Sequence, residues 1–400
     1  MIPPIRAIPP SPAQIAADVF APWTVFVTID IEPLALATAA TGCGLTISEG
    51  VARLSTDIET LGRLARELEG RSPRLASLLK NLVIEPTQWR LRTRSVDLPN
   101  GIIMGILNLT DDSFSGDGVG TDMSGALWRA QELRSAGADI IDVGAETARA
   151  DRPTMNAATE AILVGRTVAE LVRQGHCVSS DSYKPEVARA ALESGAEIIN
   201  DISGLTLGMG AADEAAVAKA GYVLNYSYSV PKRRPESPPV YEDVVAETVG
   251  WMTERVNRLE NRGLNRASVA IDPGIAFGKS HDEDLQVIRR IGELRTLGLP
   301  ILLAHSRKNF IGSVSGRPPG DRELETHIVT ALAFEQGARI FRVHDVAGTR
   351  RALEMASALT TTNKNAFAPD AESWPWRAGS SAAHMTNANP DKTAPNGQRW

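Results

Sequence analysis

From Gly101 onward the sequence repeats one unit: a short run rich in β-branched residues, a polar stretch, then an amphipathic helical pattern. The runs fall at 102–107 (IIMGIL), 139–143 (DIIDV), 177–181 (CVSSD), 197–202 (EIINDI), 222–226 (YVLNY), 268–272 (SVAID), 300–304 (PILLA) and 339–343 (RIFRV). Helical periodicity follows at 123–136, 156–173, 184–194, 240–262, 282–293 and 345–359. Eight strand–helix units in about 260 residues predict a (β/α)8 TIM barrel. The rival, a doubly wound open sheet, usually opens with a glycine-rich phosphate turn after its first strand. The nearest match, GIAFGKS at 274–280, has only three residues between its glycines and follows a late strand. It does not support the open sheet.

The segments around the barrel differ in character. Five prolines among the first twelve residues predict an extended leader over 1–20. Residues 21–98 read as a small α/β module: TVFVTIDI at 24–31 alternates like a strand, while 51–69 and 72–82 carry helical periods. The barrel occupies 99–361, and 362–400, rich in Thr, Asn, Ser, Pro and Ala, reads as a disordered tail.

Composition narrows the chemistry. A net charge of −6 argues against a nucleic-acid footprint, and no apolar run approaches the roughly 18 residues of a membrane helix. Cys43 and Cys177 are too few and too distant for a disulfide framework, so a cytoplasmic location is expected. The six histidines form no HExxH motif, and a GxSxG nucleophile elbow is absent.

A parallel barrel presents its site at the C-terminal strand ends. In order these carry Asn108, Glu146, Asp181, Asn200 with Asp201, Asn225, Asp272, the run Ser306-Arg307-Lys308, and Arg342 with His344. Each alone is readable as a helix cap. Together, two carboxylates and an amide suit a flat heterocycle rich in N–H groups, with Asp272 able to accept two parallel bonds. Lys308, Arg307, Arg342 and His344 suit a phosphate or pyrophosphate, with Asn108 able to share a Mg2+ whose other ligands are phosphate oxygens.

Seven segments then match one family in order: MGILNLTDDSFS (104–115), DVGAETAR (142–149), SSDSYKPEVA (179–188), IINDISG (198–204), DPGIAFGK (272–279), SRKNFIG (306–312) and RVHDV (342–346). Residues 101–360 resemble dihydropteroate synthase, the pterin-binding barrel of folate synthesis. The resemblance implies a transferase that joins 6-hydroxymethyl-7,8-dihydropterin pyrophosphate to 4-aminobenzoate and releases pyrophosphate. It implies pterin contacts at Asp181, Asn200, Asp272 and Lys308, and pyrophosphate contacts at Asn108, Arg342 and His344, with Mg2+ near Asn108. The arylamine would lie near Phe114, Arg149, Phe277 and Asn309, and Lys308, Asp181, Arg342 and His344 would carry the catalysis. It also implies small-molecule partners and a possible homodimer.

The departures from the family pattern are Asp111, Gly116-Asp117-Gly118 for Asp-Gly-Gly, Thr147-Ala148-Arg149-Ala150-Asp151 for Ser-Thr-Arg-Pro-Gly, Ala276 in place of Gly, Asn309 in place of Ser with His305 before that run, and Asn225-Tyr226 where Met-His is usual. Most fall where the arylamine would bind. They leave open a ribofuranosyl-aminobenzene phosphate acceptor, as in methanopterin-type cofactors, with Lys232, Arg233 and Arg234 as phosphate partners. A pterin-dependent methyltransferase or a non-catalytic pterin-binding protein is the further alternative.

Overall fold

The computed structural model describes residues 5–8, 23–27, 31–41, 43–48, 51–83, 85–109, 122–146, 153–228 and 239–360. The tail, most of the leader, and the expectations for Phe114, Arg149 and Lys232–Arg234 lie outside the described residues.

The N-terminal strands β1 (Ile5–Ile8), β2 (Trp23–Val27), β3 (Leu45–Ser48) and β4 (Val51–Thr56) form an antiparallel sheet in the order β1-β2-β4-β3. Helices Ile31–Thr41, Ile58–Leu68 and Pro73–Val83 accompany it. The helix expected over 51–69 is therefore divided. Ala52, Leu54 and Thr56 are buried at alternate positions, and β4 pairs with β2 and β3, so sheet pairing overrides the helical period there. The Asp57 side chain then accepts the Thr60 amide and caps the helix that follows. Val25, Leu34, Leu54, Leu61, Leu64, Leu68, Leu75 and Leu79 make this module's own apolar cluster.

A hairpin, β5 (Gln88–Arg90) with β6 (Ser95–Asp97), leads into the barrel. The eight barrel strands are β7 (Ile102–Asn108), β8 (Ile140–Gly144), β9 (Val178–Asp181), β10 (Ile198–Asp201), β11 (Gly221–Asn225), β12 (Val269–Asp272), β13 (Ile301–Leu303) and β14 (Ala338–Val343). They are parallel and closed, with β14 registering Ile340 against Ile102 of β7. Each expected strand is present, because each β-branched run is bounded by polar or glycine residues that stop it.

Two apolar layers hold the barrel. Outward-facing Ile103, Leu107, Ile141, Val143, Ile199, Leu224, Ile271, Leu303 and Phe341 pack under the helices. Inside, Ile102, Met104, Ile140, Ile198, Val223, Ala270, Leu302 and Ile340 meet Trp89, Leu91 and Leu98 of the hairpin region. Trp89 is fully buried, and its indole N–H donates to the Ser268 carbonyl at 2.9 Å, so the hairpin plugs the end where the strands begin. The module is pinned to that end by Asn81, which donates to Thr296 O at 3.1 Å, and by Glu85, 2.9 Å from Arg295 and 2.8 Å from Arg339.

Candidate active site

Side chains on a strand alternate between faces. Ile140, Ile198, Val223, Ala270 and Ile340 all point into the barrel. Two residues further on, at the same parity, stand Asp142, Asn200, Asn225, Asp272 and Arg342. The interior thus changes from aliphatic to charged within one pleat, beneath the C-terminal mouth.

The charged layer is tightly connected. Arg342 Nε donates to Asp142 Oδ2 and Arg342 Nη2 to Asp181 Oδ2, both at 2.6 Å. Asn200 Nδ2 also donates to Asp142 Oδ2, at 3.1 Å. Asp142 is completely buried, and its second oxygen, Oδ1, has no hydrogen-bond partner. A buried acceptor left unpaired costs about 1–3 kcal/mol, so any N–H donor brought against this oxygen would be stabilising. Burial pushes the Asp181 carboxyl up to about 7 against the opposing pull of Arg342. Asp272 is likewise raised by burial, with Lys308 opposing, and its Oδ1 accepts the Gly274 amide at 2.8 Å.

The loop after β13 is built to aim one cation. Arg307 adopts a left-handed φ of 58°, a conformation that costs a non-glycine residue about 1–2 kcal/mol. Arg322, itself buried, holds the turn by donating to Arg307 O at 2.8 Å and Lys308 O at 3.3 Å. Lys308 Nζ then donates to Ile275 O at 2.8 Å and stands 5.2 Å from the Phe277 ring centre. Burial lowers the Lys308 pKa, with Asp272 opposing. Ser306 and His344 are joined between Oγ and Nδ1 at 2.8 Å, linking this loop to the end of β14. Ala276, where the family carries glycine, has a φ of +68°.

The lysine of the GIAFGKS run is turned inward. Lys279 Nζ donates to Pro273 O at 2.9 Å and sits 3.5 Å over the Tyr226 ring, so it braces the mouth rather than facing a phosphate. Glu146, read as a strand-end site residue, also serves the frame. It accepts from Tyr183 at 2.8 Å and from Lys184 at 2.6 Å, and Lys184 pairs in turn with buried Glu160.

Of the expected site residues, the structure gathers Asp181, Asn200, Asp272, Lys308, Arg342 and His344 at one mouth. It binds Asp181 and Arg342 in one ion pair, so anionic and cationic groups interleave rather than occupying separate halves. Phe277 lies beside Lys308, and Asn309 is exposed, with Oδ1 accepting from Arg322 at 3.3 Å. Asn108 is half-buried at the end of β7, and its side chain makes no hydrogen bond to the described residues. An amide oxygen with no partner among the described residues fits Mg2+, which favours few protein ligands completed by water and substrate phosphates. Asp142 and Arg322 were not singled out from the sequence. The signal for Asp142 was its inward parity with Ile140; Arg322 gave none, because its role depends on a turn fifteen residues away.

A family model for pterin-binding enzymes matches residues 104–344. The chain belongs to this dihydropteroate synthase family. It is 38% identical over 267 residues to the dihydropteroate synthase of Mycobacterium leprae, covering 64% of this chain and 92% of that one. It is 35% identical over 272 residues to the Escherichia coli K12 enzyme, covering 68% and 96%. Among solved structures, Yersinia pestis dihydropteroate synthase with a sulfonamide drug complex gives a TM-score of 0.64 at 32% identity, over 68% of this chain and 98% of that one. The Xanthomonas albilineans enzyme with 4-aminobenzoic acid gives 0.62 at 33%, over 69% and 98%. The strands β1–β6 lie outside the residues that the family model matches.

Proposed function

We propose that this dihydropteroate synthase-type transferase joins 6-hydroxymethyl-7,8-dihydropterin pyrophosphate to 4-aminobenzoate in folate biosynthesis, through the following division of labour. The pterin lies in the charged layer, its N–H groups received by Asp181, Asp272 and the unpartnered Oδ1 of Asp142, with Asn200 and Lys308 at its other edge. That buried oxygen is the observation that carries the reading. Arg342, His344 and Asn108 hold the pyrophosphate. Mg2+, when bound at Asn108 and phosphate oxygens, would supply charge neutralisation of the leaving group.

The methylene–oxygen bond breaks and its electron pair leaves with pyrophosphate. Arg342 and His344 stabilise the charge on the departing oxygens, while the buried carboxylates stabilise the positive charge left on the pterin. The arylamine nitrogen then attacks the methylene and loses a proton to water. Phe277 and Asn309, with Phe114 and Arg149, make up the arylamine side of the assignment. A homodimer accompanies this reading. Leu324, Ile328 and Leu332 recur every fourth residue on helix Glu323–Glu335 and are 67%, 51% and 52% exposed, an apolar stripe suited to a second copy.

The test is pyrophosphate release from the pterin substrate with Mg2+ and either 4-aminobenzoate or ribofuranosyl-aminobenzene phosphate, with product mass as readout. Preference for 4-aminobenzoate is expected. Preference for the ribosylated acceptor would assign the methanopterin-type reaction, and no release with either would leave pterin binding alone.

A further inference from the structure

The sequence carries no HExxH motif, yet the fold brings three ligating side chains together behind the pyrophosphate end of the site. Glu323 and His327 stand one turn apart on helix Glu323–Glu335, and Asp345 follows β14 directly after His344. His327 Nε2 lies 3.2 Å from Asp345 Oδ2 and 3.9 Å from Glu323 Oε2, and the three ligand atoms all fall within 4.8 Å of one another. Around an ion bound at about 2.0–2.2 Å, tetrahedral ligands are spaced by about 3.3–3.6 Å. The observed separations straddle that value.

Three further observations point at the gap. Each carboxylate has one oxygen already engaged: Glu323 Oε1 by Arg307, Asp345 Oδ1 by the Gly348 amide at 3.1 Å. The remaining atoms face one another, and both Glu323 Oε2 and His327 Nε2 are inaccessible to solvent without a hydrogen-bond partner. Finally, Gly348 stands in the first turn of helix Val346–Thr360, its amide donating to Asp345. A Cβ there would fall 2.1 Å from His327 Cε1 and 2.6 Å from Asp345 Oδ2. Only a residue without a Cβ leaves the ring and the carboxylate their room there.

We propose that Glu323, His327 and Asp345 bind a first-row divalent transition ion of the Zn2+ class, with water as fourth ligand. One imidazole and two carboxylates are hard enough to exclude Cu(I) and carry the nitrogen donor that Mg2+ and Ca2+ sites lack. The ion ties the helix that supports the Lys308 loop, through Glu323 and Arg307, to the segment that carries His344. It therefore positions both sides of the pyrophosphate subsite without touching substrate.

The experiment uses the full chain without an affinity tag, freed of metal by a chelator and titrated with Co2+ and with Zn2+ against a chromophoric competitor. Expected are one equivalent bound, Co2+ absorption bands of a tetrahedral site, and a rise in Tm on loading. His327→Leu and Glu323→Gln should weaken binding by more than the roughly 10–100-fold that loss of a supporting partner costs. Glu323→Gln retains an oxygen for Arg307, and circular dichroism reports that each variant is folded. A wild-type chain that binds no ion stoichiometrically, or folded variants that bind as wild type does, would overturn the proposal. Excess Mg2+ should not displace the ion; displacement would place it at the substrate site and likewise overturn the reading.

Discussion

Replacing Asp142 by asparagine tests the core of the site at a residue that the family resemblance did not assign. Asp142 is fully buried, and its Oδ2 accepts from Arg342 and Asn200 while Oδ1 waits unpaired. Removing one partner of a buried ion pair costs about 3–5 kcal/mol when the other charge is left uncompensated. Here Arg342 keeps Asp181 at 2.6 Å, which places Asp142→Asn near the lower end, about 3 kcal/mol. For a chain of 400 residues that corresponds to a Tm lowered by roughly 4 °C. The ligand effect is separate. A hydrogen bond to a charged acceptor contributes about 1.5–3 kcal/mol, so a 6-substituted pterin without a leaving group should bind about 10–150-fold more weakly. Calorimetric titration of the folded variant measures this, alongside KM for the arylamine, which should change little. Pterin affinity within twofold of wild type would refute the reasoning, because Oδ1 would then receive nothing from the ligand.

Three further outcomes follow from the geometry. Asn309→Ser should lower KM for 4-aminobenzoate by about 2–10-fold, the worth of one neutral hydrogen bond, and an unchanged KM would show that this departure is silent. His305 is completely buried and held neutral, its pKa depressed from 6.5 to about 4 by burial, with Nε2 3.0 Å from Thr326 O. Its contribution is complete above pH 6.5 and is lost as pH falls toward 4, because the unfolded chain takes the proton first; the loss is about 3 kcal/mol. Denaturation midpoints measured across that window should fall in wild type and less in His305→Gln; equal slopes would refute the assignment. Ala276→Gly should raise stability by about 0.5–1 kcal/mol, as relief of left-handed strain exceeds the entropy that glycine adds to the unfolded chain. A lower urea midpoint would contradict this.

The barrel was legible because each strand is a short apolar run with a polar stop, and the count of eight leaves few architectures. The strand ends were less legible, since reading the last polar residue of each run picks the wrong side chain on β8. Glu146 lies beyond the pleat and is consumed by Lys184 and Tyr183, whereas Asp142, in the middle of the run, has the inward parity. In the N-terminal module, Leu54 satisfies a helical and an alternating period equally well. Only pairing with distant β2 decides between them. Arg307 and Arg322 show the same limit: a strained turn and its strut are visible only once residues remote in sequence are in contact.

The hairpin plug around Trp89 also governs traffic through the molecule. Among the described residues the lower end is filled, so on the proposed function both substrates would enter and both products leave at the C-terminal ends of the strands. The proposed placement puts the pterin at the deepest layer, where an arylamine already seated above it would block its entry. On that placement the barrel works as a single-door vessel, in which the pterin would load first and the joined product would withdraw before the next pterin descends.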